Sequence, residues 1–164
     1  MTALVQPFIS TVAGSLDGKG RVCIPAPYRH ILSAQGPQSG LGGSPAGFYV
    51  CPSFIDPALD AFGQTLLDAI NTRLAGQDPF FSSSHDDEAT ALIARTQTLP
   101  IDENGRVRLP DALIAHAGLK DRIVFVGKAQ KFQIWDADRY APVEAEALAR
   151  VKARMERLRS GEAP

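Results

Sequence analysis

The chain has 164 residues, a formal net charge of −1 and 45% hydrophobic residues. That length and apolar content suffice for a buried core and argue against a disordered chain. The near-neutral balance excludes polyanion binding by the protein as a whole and leaves only a local basic patch for such a role.

The first predicted strand begins near Thr11 and is followed by a turn and a second strand, RVCIP, in which Val22 and Ile24 share one face and Arg21 and Cys23 the other. Pro25 has no backbone donor and ends it. APYRHILSA reads as a short helix, the Gly/Ser/Pro-dense stretch 36–47 as a loop, and FYVC as a further strand. Asp56 and Pro57 form a helix start. Leu59, Phe62, Leu66, Ile70 and Leu74 follow at steps of three and four, and Gly76 supplies a stop. A second helix is expected from near Ser84 to about Thr96, with Asp86, Asp87 and Glu88 at its positive end.

From Thr98 the order repeats: TLPID strand, turn, RVRLP strand, DALIAHAGL helix, then RIVFVG and KFQIWD strands. Asp136 reads as a helix cap and Pro142 as the opening of the last helix. There Leu148, Val151, Met155 and Leu158 form one apolar stripe among five basic residues from Arg150 to Arg159. Such a short stripe is expected to pack against the rest of the chain.

LDGKGRVCIP at 16–25 and IDENGRVRLP at 101–110 agree at five positions and differ conservatively at two more. Each turn starts with an aspartate, Asp17 or Asp102, able to accept a backbone N–H two residues on. Each ends with a glycine, Gly20 or Gly105, suited to the left-handed conformation of a bulged type I turn. Arg21 or Arg106 follows immediately, and Lys19 adds charge in the first copy. Arg106 and Arg108 share a face opposite Val107 and Leu109. The aspartates are expected to brace the turns by pairing with Arg21 and Arg106, and to present those guanidinium groups at the same time. One hairpin offers few contacts to phosphates or base edges. Two copies, and more on oligomerisation, raise the affinity for a target with matching repeats. The copies are expected to interleave into one shared barrel, each covering the other's strand edges.

The string Asp-x-x-Gly-Arg-Val-x-Ile/Leu-Pro followed by a short helix resembles the swapped-hairpin domain of the AbrB and SpoVT transition-state regulators. Two such units in one chain around a helical pair, with HAGL after the second and KFQIWD near its end, resemble the bacterial MraZ family from about Thr11 to Tyr140. The resemblance implies an α+β, β-rich fold: two tandem swapped-hairpin units interleaved into a pseudo-two-fold β-barrel with flanking helices. The corresponding divisions are a first SpoVT-AbrB-like domain at 11–58, a helical connector at 59–96, a second such domain at 97–141 and a C-terminal helix at 142–164.

It further implies a non-enzymatic, sequence-specific DNA-binding transcriptional regulator without cofactor, metal or small-molecule substrate. Such a protein is expected to sit on the nucleoid in the cytoplasm. It would form a homo-oligomeric ring on short direct repeats in promoter DNA and repress a cell-division and cell-wall gene cluster that includes its own gene. The DNA-binding residues implied are Lys19, Arg21, Arg29, Arg106 and Arg108, with Asp17, Gly20, Asp102 and Gly105 supporting the turns. Cys23 stands where the second copy has Arg108, and only the first helix carries a basic residue, Arg29, so the first copy is expected to engage DNA more closely. The alternative is an antitoxin-like protein-interaction module. Two copies and a basic last helix speak against it, because such antitoxins carry one copy and a disordered acidic tail.

Other signals carry less. GSLDGKG fails as a phosphate loop because three residues, not four, separate Gly14 from Gly18, and Gly20 follows the lysine. DENGRV fails as a calcium loop because Arg106 occupies a ligand position. SHDDE reads as a solvated helix start, and His30 and His116 have no partners in reach by sequence. Trp135 suits a core anchor or a base-stacking platform. Cys23 and Cys51 are too few for a disulfide framework or a metal site and read as reduced, buried thiols. No run is long enough to span a membrane, and MTALVQPFIS lacks the basic leader of a signal peptide.

Overall fold

A computed structural model describes residues 5–35 and 47–161; the predicted loop at 36–47 falls almost wholly outside them. Both turns form as their residues dictate. Asp17 Oδ1 accepts the amides of Lys19 and Arg21 at 2.9 and 2.8 Å, and Asp102 Oδ1 those of Asn104 and Arg106 at 2.8 and 2.9 Å. Gly20 and Gly105 take φ of 77° and 79°, in the left-handed region.

The strands leaving each turn do not stay together as an isolated hairpin but pair across the two copies. After one bridge between Leu16 and Val22, strand β1 (Thr11–Ser15) pairs with β7 (Arg122–Lys128), and β2 (Arg21–Cys23) pairs with β6 (Arg106–Arg108). A three-residue strand cannot bury its valine within its own hairpin. Pairing across the copies buries Val22 and Val107 together, each 1% exposed.

The main sheet is six-stranded and antiparallel, ordered β1-β7-β8-β4-β3-β5, with β3 at Gly47–Pro52, β4 at Leu59–Phe62, β5 at Gln97–Pro100 and β8 at Lys131–Asp136. Exchanging β1 with β5, β7 with β3 and β8 with β4 reproduces the same order. Each copy therefore places its first strand beside the other copy's third, and an approximate two-fold runs between β4 and β8. Among the described residues the sheet is not closed into a barrel, since β1 and β5 are its ends and β2–β6 forms a separate ribbon.

Phe132 on β8 sits at the centre of the core, with ring centroids of Tyr28, Phe8, Phe48 and Phe125 at 4.9, 5.0, 6.0 and 6.4 Å. Helix α1 (Ala26–Ala34) contributes Tyr28, whose hydroxyl donates to the Ser10 carbonyl at 2.7 Å. Helix α4 (Asp111–Ala117) contributes Leu113 and ends at Gly118, φ 57°. Trp135 is a core anchor: it is buried and donates its indole N–H to Gln133 Oε1 at 2.9 Å.

The helix predicted from Asp56 is corrected. Leu59–Phe62 is the strand β4, and helix α2 spans Gln64–Ala75, stopping at Gly76 as expected. Leu59 and Ala61 are fully buried between β3 and β8, and the ladder bonds available on both sides outweigh helical spacing there. Helix α3 (Ser83–Glu88) is capped by Ser82, whose hydroxyl accepts the His85 amide at 3.1 Å, and a π-helical stretch continues it over Ala89–Ala94.

The last helix, α5, runs Ala137–Arg159 from the cap at Asp136, which accepts the Arg139 amide at 3.3 Å; Pro142 lies inside it and does not open it. Its stripe is not packed: Leu148, Val151, Met155 and Leu158 are 63, 41, 57 and 59% exposed. Cys51 is buried, and Cys23 is exposed, because strand alternation turns it away from Val22.

Candidate nucleic-acid interface

Strand exchange brings the arginines of both copies onto one surface. In the β2–β6 ribbon Arg21 faces Arg108, Val22 faces Val107 and Cys23 faces Arg106. With the valines turned inward, Arg21, Cys23, Arg106 and Arg108 occupy the outer face. The ends of the ribbon are tied reciprocally, the Ile24 amide donating to Gly105 O at 2.9 Å and the Leu109 amide to Gly20 O at 2.8 Å. Like charges directly opposite one another destabilise a strand pair. Two arginines in register, where the fold asks only for the valines beneath, point to a role outside the fold.

The three guanidinium groups differ in their surroundings. Arg21 is held by Asp17, Nε to Oδ2 at 2.8 Å, with 35% of its side chain exposed. The Arg21 amide, then that side chain and the Lys19 amide, hold the Asp17 carboxyl down to about 2 against the opposition of partial desolvation. Asp102 is also lowered, first by the Arg106 amide and then by the Asn104 amide and the nearby charges of Arg106 and Arg21. The expected Asp102–Arg106 ion pair is not formed. Among the described residues neither Arg106 nor Arg108 has a carboxylate within 4.0 Å, and both are exposed.

Lys19 is exposed on the first turn and lines, with Asp17, Arg108, Asp111 and Ile114, a depression of about 460 Å³ at that end of the ribbon. Arg29 lies at the opposite end and is half-buried. Its Nε donates to Ile24 O at 3.1 Å, and its guanidinium lies so close over the second turn that a Cβ on Gly105 would meet Cζ at 2.8 Å. Ile114 does the same at the first turn, where a Cβ on Gly20 would lie 3.3 Å from its Cδ1. Arg29 and Ile114 hold the same place in the two copies, each covering the other copy's turn glycine. Aligning the two ten-residue motifs and reading on into the helices would have revealed that equivalence; the closeness of Arg21 to Arg108 had no local signal.

The family model described as "MraZ protein, putative antitoxin-like" matches residues 92–159, the stretch holding Asp102, Arg106 and Arg108. Proteins named "Transcriptional regulator MraZ" are similar over far more of the chain. That of Xanthobacter autotrophicus is 41% identical over 88% of this chain and 87% of its own length, and that of Azorhizobium caulinodans 39% over 94% and 92%. The chain belongs to the MraZ family. A further MraZ relative, from Parvibaculum lavamentivorans, is 36% identical over 97% of this chain and 94% of its own, so the likeness takes in both copies of the motif. Among the described residues no helix is long and apolar enough to cross a membrane, and no group of three His, Cys, Asp or Glu is placed to hold a metal ion.

Proposed function

We propose that this chain is a sequence-specific DNA-binding transcriptional regulator that uses the β2–β6 ribbon as its reading element. The observation that carries this is the register itself: three guanidinium groups on one face of a two-stranded ribbon, a shape that the major groove admits. Lys19, Arg21, Arg106 and Arg108 are the contacting residues, and Arg29 supports them by packing against the second turn. The cross-copy pairing supports a swapped-hairpin arrangement, with units at 11–58 and 97–141, a connector at 59–96 whose β4 completes the first unit's sheet, and a tail at 142–164 whose helix starts earlier, on Ala137. The role is non-enzymatic and its setting the nucleoid of the cytoplasm, acting to repress a cell-division and cell-wall operon that includes its own gene.

Binding to short direct repeats by a ring of protomers is part of the same reading. It is supported by apolar side chains left uncovered among the described residues: the α5 stripe together with Phe54, Ile55, Phe80 and Phe81, which are 75 to 91% exposed. A heterologous contact between such patches closes into a ring when its rotation permits. The test is a titration of the full-length protein against a duplex from upstream of its own coding sequence. Arg108→Ala should weaken binding about tenfold and reduce the slope of log K against log salt by about one. Unaltered affinity and slope in Arg106→Ala and Arg108→Ala would overturn the reading and favour a protein partner. Mass measurement of Leu148→Glu/Met155→Glu against the unmodified chain tests self-association, expected to fall in the variant.

A further inference from the structure

We infer that the ribbon divides its labour, Arg21 reading a guanine edge while Arg106 and Arg108 hold phosphates, with Asp17 as the positioning residue that makes the difference. This rests on the DNA-binding reading above and assigns roles within it.

Three arginines on one strand pair are chemically identical, so any division of roles must come from their neighbours. Asp17 is a fixed post: Oδ1 is pinned by the Lys19 and Arg21 amides at 2.9 and 2.8 Å, which leaves Oδ2 to take Arg21 Nε at 2.8 Å. Occupying Nε orients the planar guanidinium and leaves its two terminal nitrogens, which make no hydrogen bond among the described residues, as a parallel pair of donors. Guanine presents two acceptors, O6 and N7, side by side in the major groove; adenine presents one acceptor beside a donor, which such a fork rejects. The 35% exposure of Arg21 fits a side chain anchored at its inner edge and open at its outer edge.

The second copy supplies the internal control. Asp102 is pinned by the same two amides and its turn has the same closure, yet it takes nothing from the Arg106 side chain. The ion pair is therefore not required to make the turn, and Arg21 is held for another purpose. Arg106 and Arg108, exposed and without an ion-pair partner among the described residues, have no such anchor to fix the orientation of their guanidinium groups. A phosphate asks only for positive charge at a tolerant distance, so unanchored side chains serve there, while base reading demands a fixed fork.

The test compares binding of the full-length protein to the promoter duplex and to a scrambled duplex of equal length across a salt series. Arg106→Ala and Arg108→Ala should weaken both duplexes by similar factors and lower the salt slope by about one each, leaving the preference intact. Arg21→Ala, and Arg21→Lys, which keeps the charge, should cut the preference about tenfold or more. Asp17→Asn should reduce the preference with little change in binding to the scrambled duplex. Replacing promoter guanines with an analogue lacking N7 should erase the preference of the unmodified protein and leave Arg21→Lys unaffected. The assignment is overturned if Arg21→Lys keeps the full preference, or if Arg106→Ala or Arg108→Ala removes it. An unmodified protein that prefers neither duplex would instead sink the DNA-reading proposal itself.

Discussion

Replacing either turn glycine by alanine tests whether the turns are held from across the repeat. Gly20→Ala must place an L-residue at φ 77°, which costs about 1–2 kcal/mol, and its Cβ would meet a terminal methyl of Ile114 at 3.3 Å, which can swing aside, and Leu109 O at an ordinary 3.6 Å. Gly105→Ala carries the same backbone cost at φ 79°, and its Cβ would lie 2.8 Å from Arg29 Cζ. The guanidinium has to leave, taking with it the Nε bond to Ile24 O, about 1 kcal/mol more. The expected losses are therefore about 1–2 kcal/mol for Gly20→Ala and about 2–3 kcal/mol for Gly105→Ala. Urea unfolding at one protein concentration measures both, and a double-mutant cycle with Arg29→Ala should recover a coupling of about 1 kcal/mol with Gly105→Ala and none with Gly20→Ala. Equal losses for the two glycines, or no coupling to Arg29, would refute the packing of the first helix on the second turn.

Val107→Ala removes two buried methyl groups beneath the ribbon and should cost about 2 kcal/mol in the same assay, by transfer and cavity together. Trp135→Phe takes away the donor to Oε1 of buried Gln133, whose Nε2 donates to Asp60 Oδ1 at 2.9 Å; about 1–3 kcal/mol is expected from the unsatisfied oxygen, in addition to the loss of buried apolar area. A thiol reagent at neutral pH should modify Cys23 in the folded protein and reach Cys51 only on unfolding, since Cys51 is buried and its thiol pushed up by that burial. Asp17 titrates near 2 when folded against 3.8 when free, so its contribution is complete above 3.8 and is lost as pH falls through 2. Carboxyl NMR should find the first turn intact at pH 3, and a titration at the ordinary value would remove Arg21's anchor.

What could be read in advance was local. Asp17, Gly20, Asp102 and Gly105 dictate their turns through their own backbone and side-chain chemistry, and alternation alone turns Val22 and Val107 inward. Pairing partners are a different kind of information. A period of two says which face a residue occupies and nothing about which strand lies beside it, so the placement of Arg21 opposite Arg108 is a property of the tertiary fold alone. Leu59 and Phe62 fell by coincidence on the helical spacing of Leu66, Ile70 and Leu74, and that concealed β4. Amphipathic spacing in α5 was legible, but the pattern records that Leu148 and Met155 want cover without saying whether the same molecule provides it. Nor does the identical Asp-x-x-x-Arg spacing of the two copies reveal that Asp17 clasps its arginine and Asp102 does not.

The exchanged strands also set the order of events during synthesis. Thr11 waits for Val126 and Arg21 for Arg108, so the amino-terminal half leaves the ribosome with its edges uncovered and can settle only after most of the chain has been made. A nascent chain arrested before β6 would therefore display sticky strands and no ribbon, and a premature stop there should yield aggregate instead of a working half.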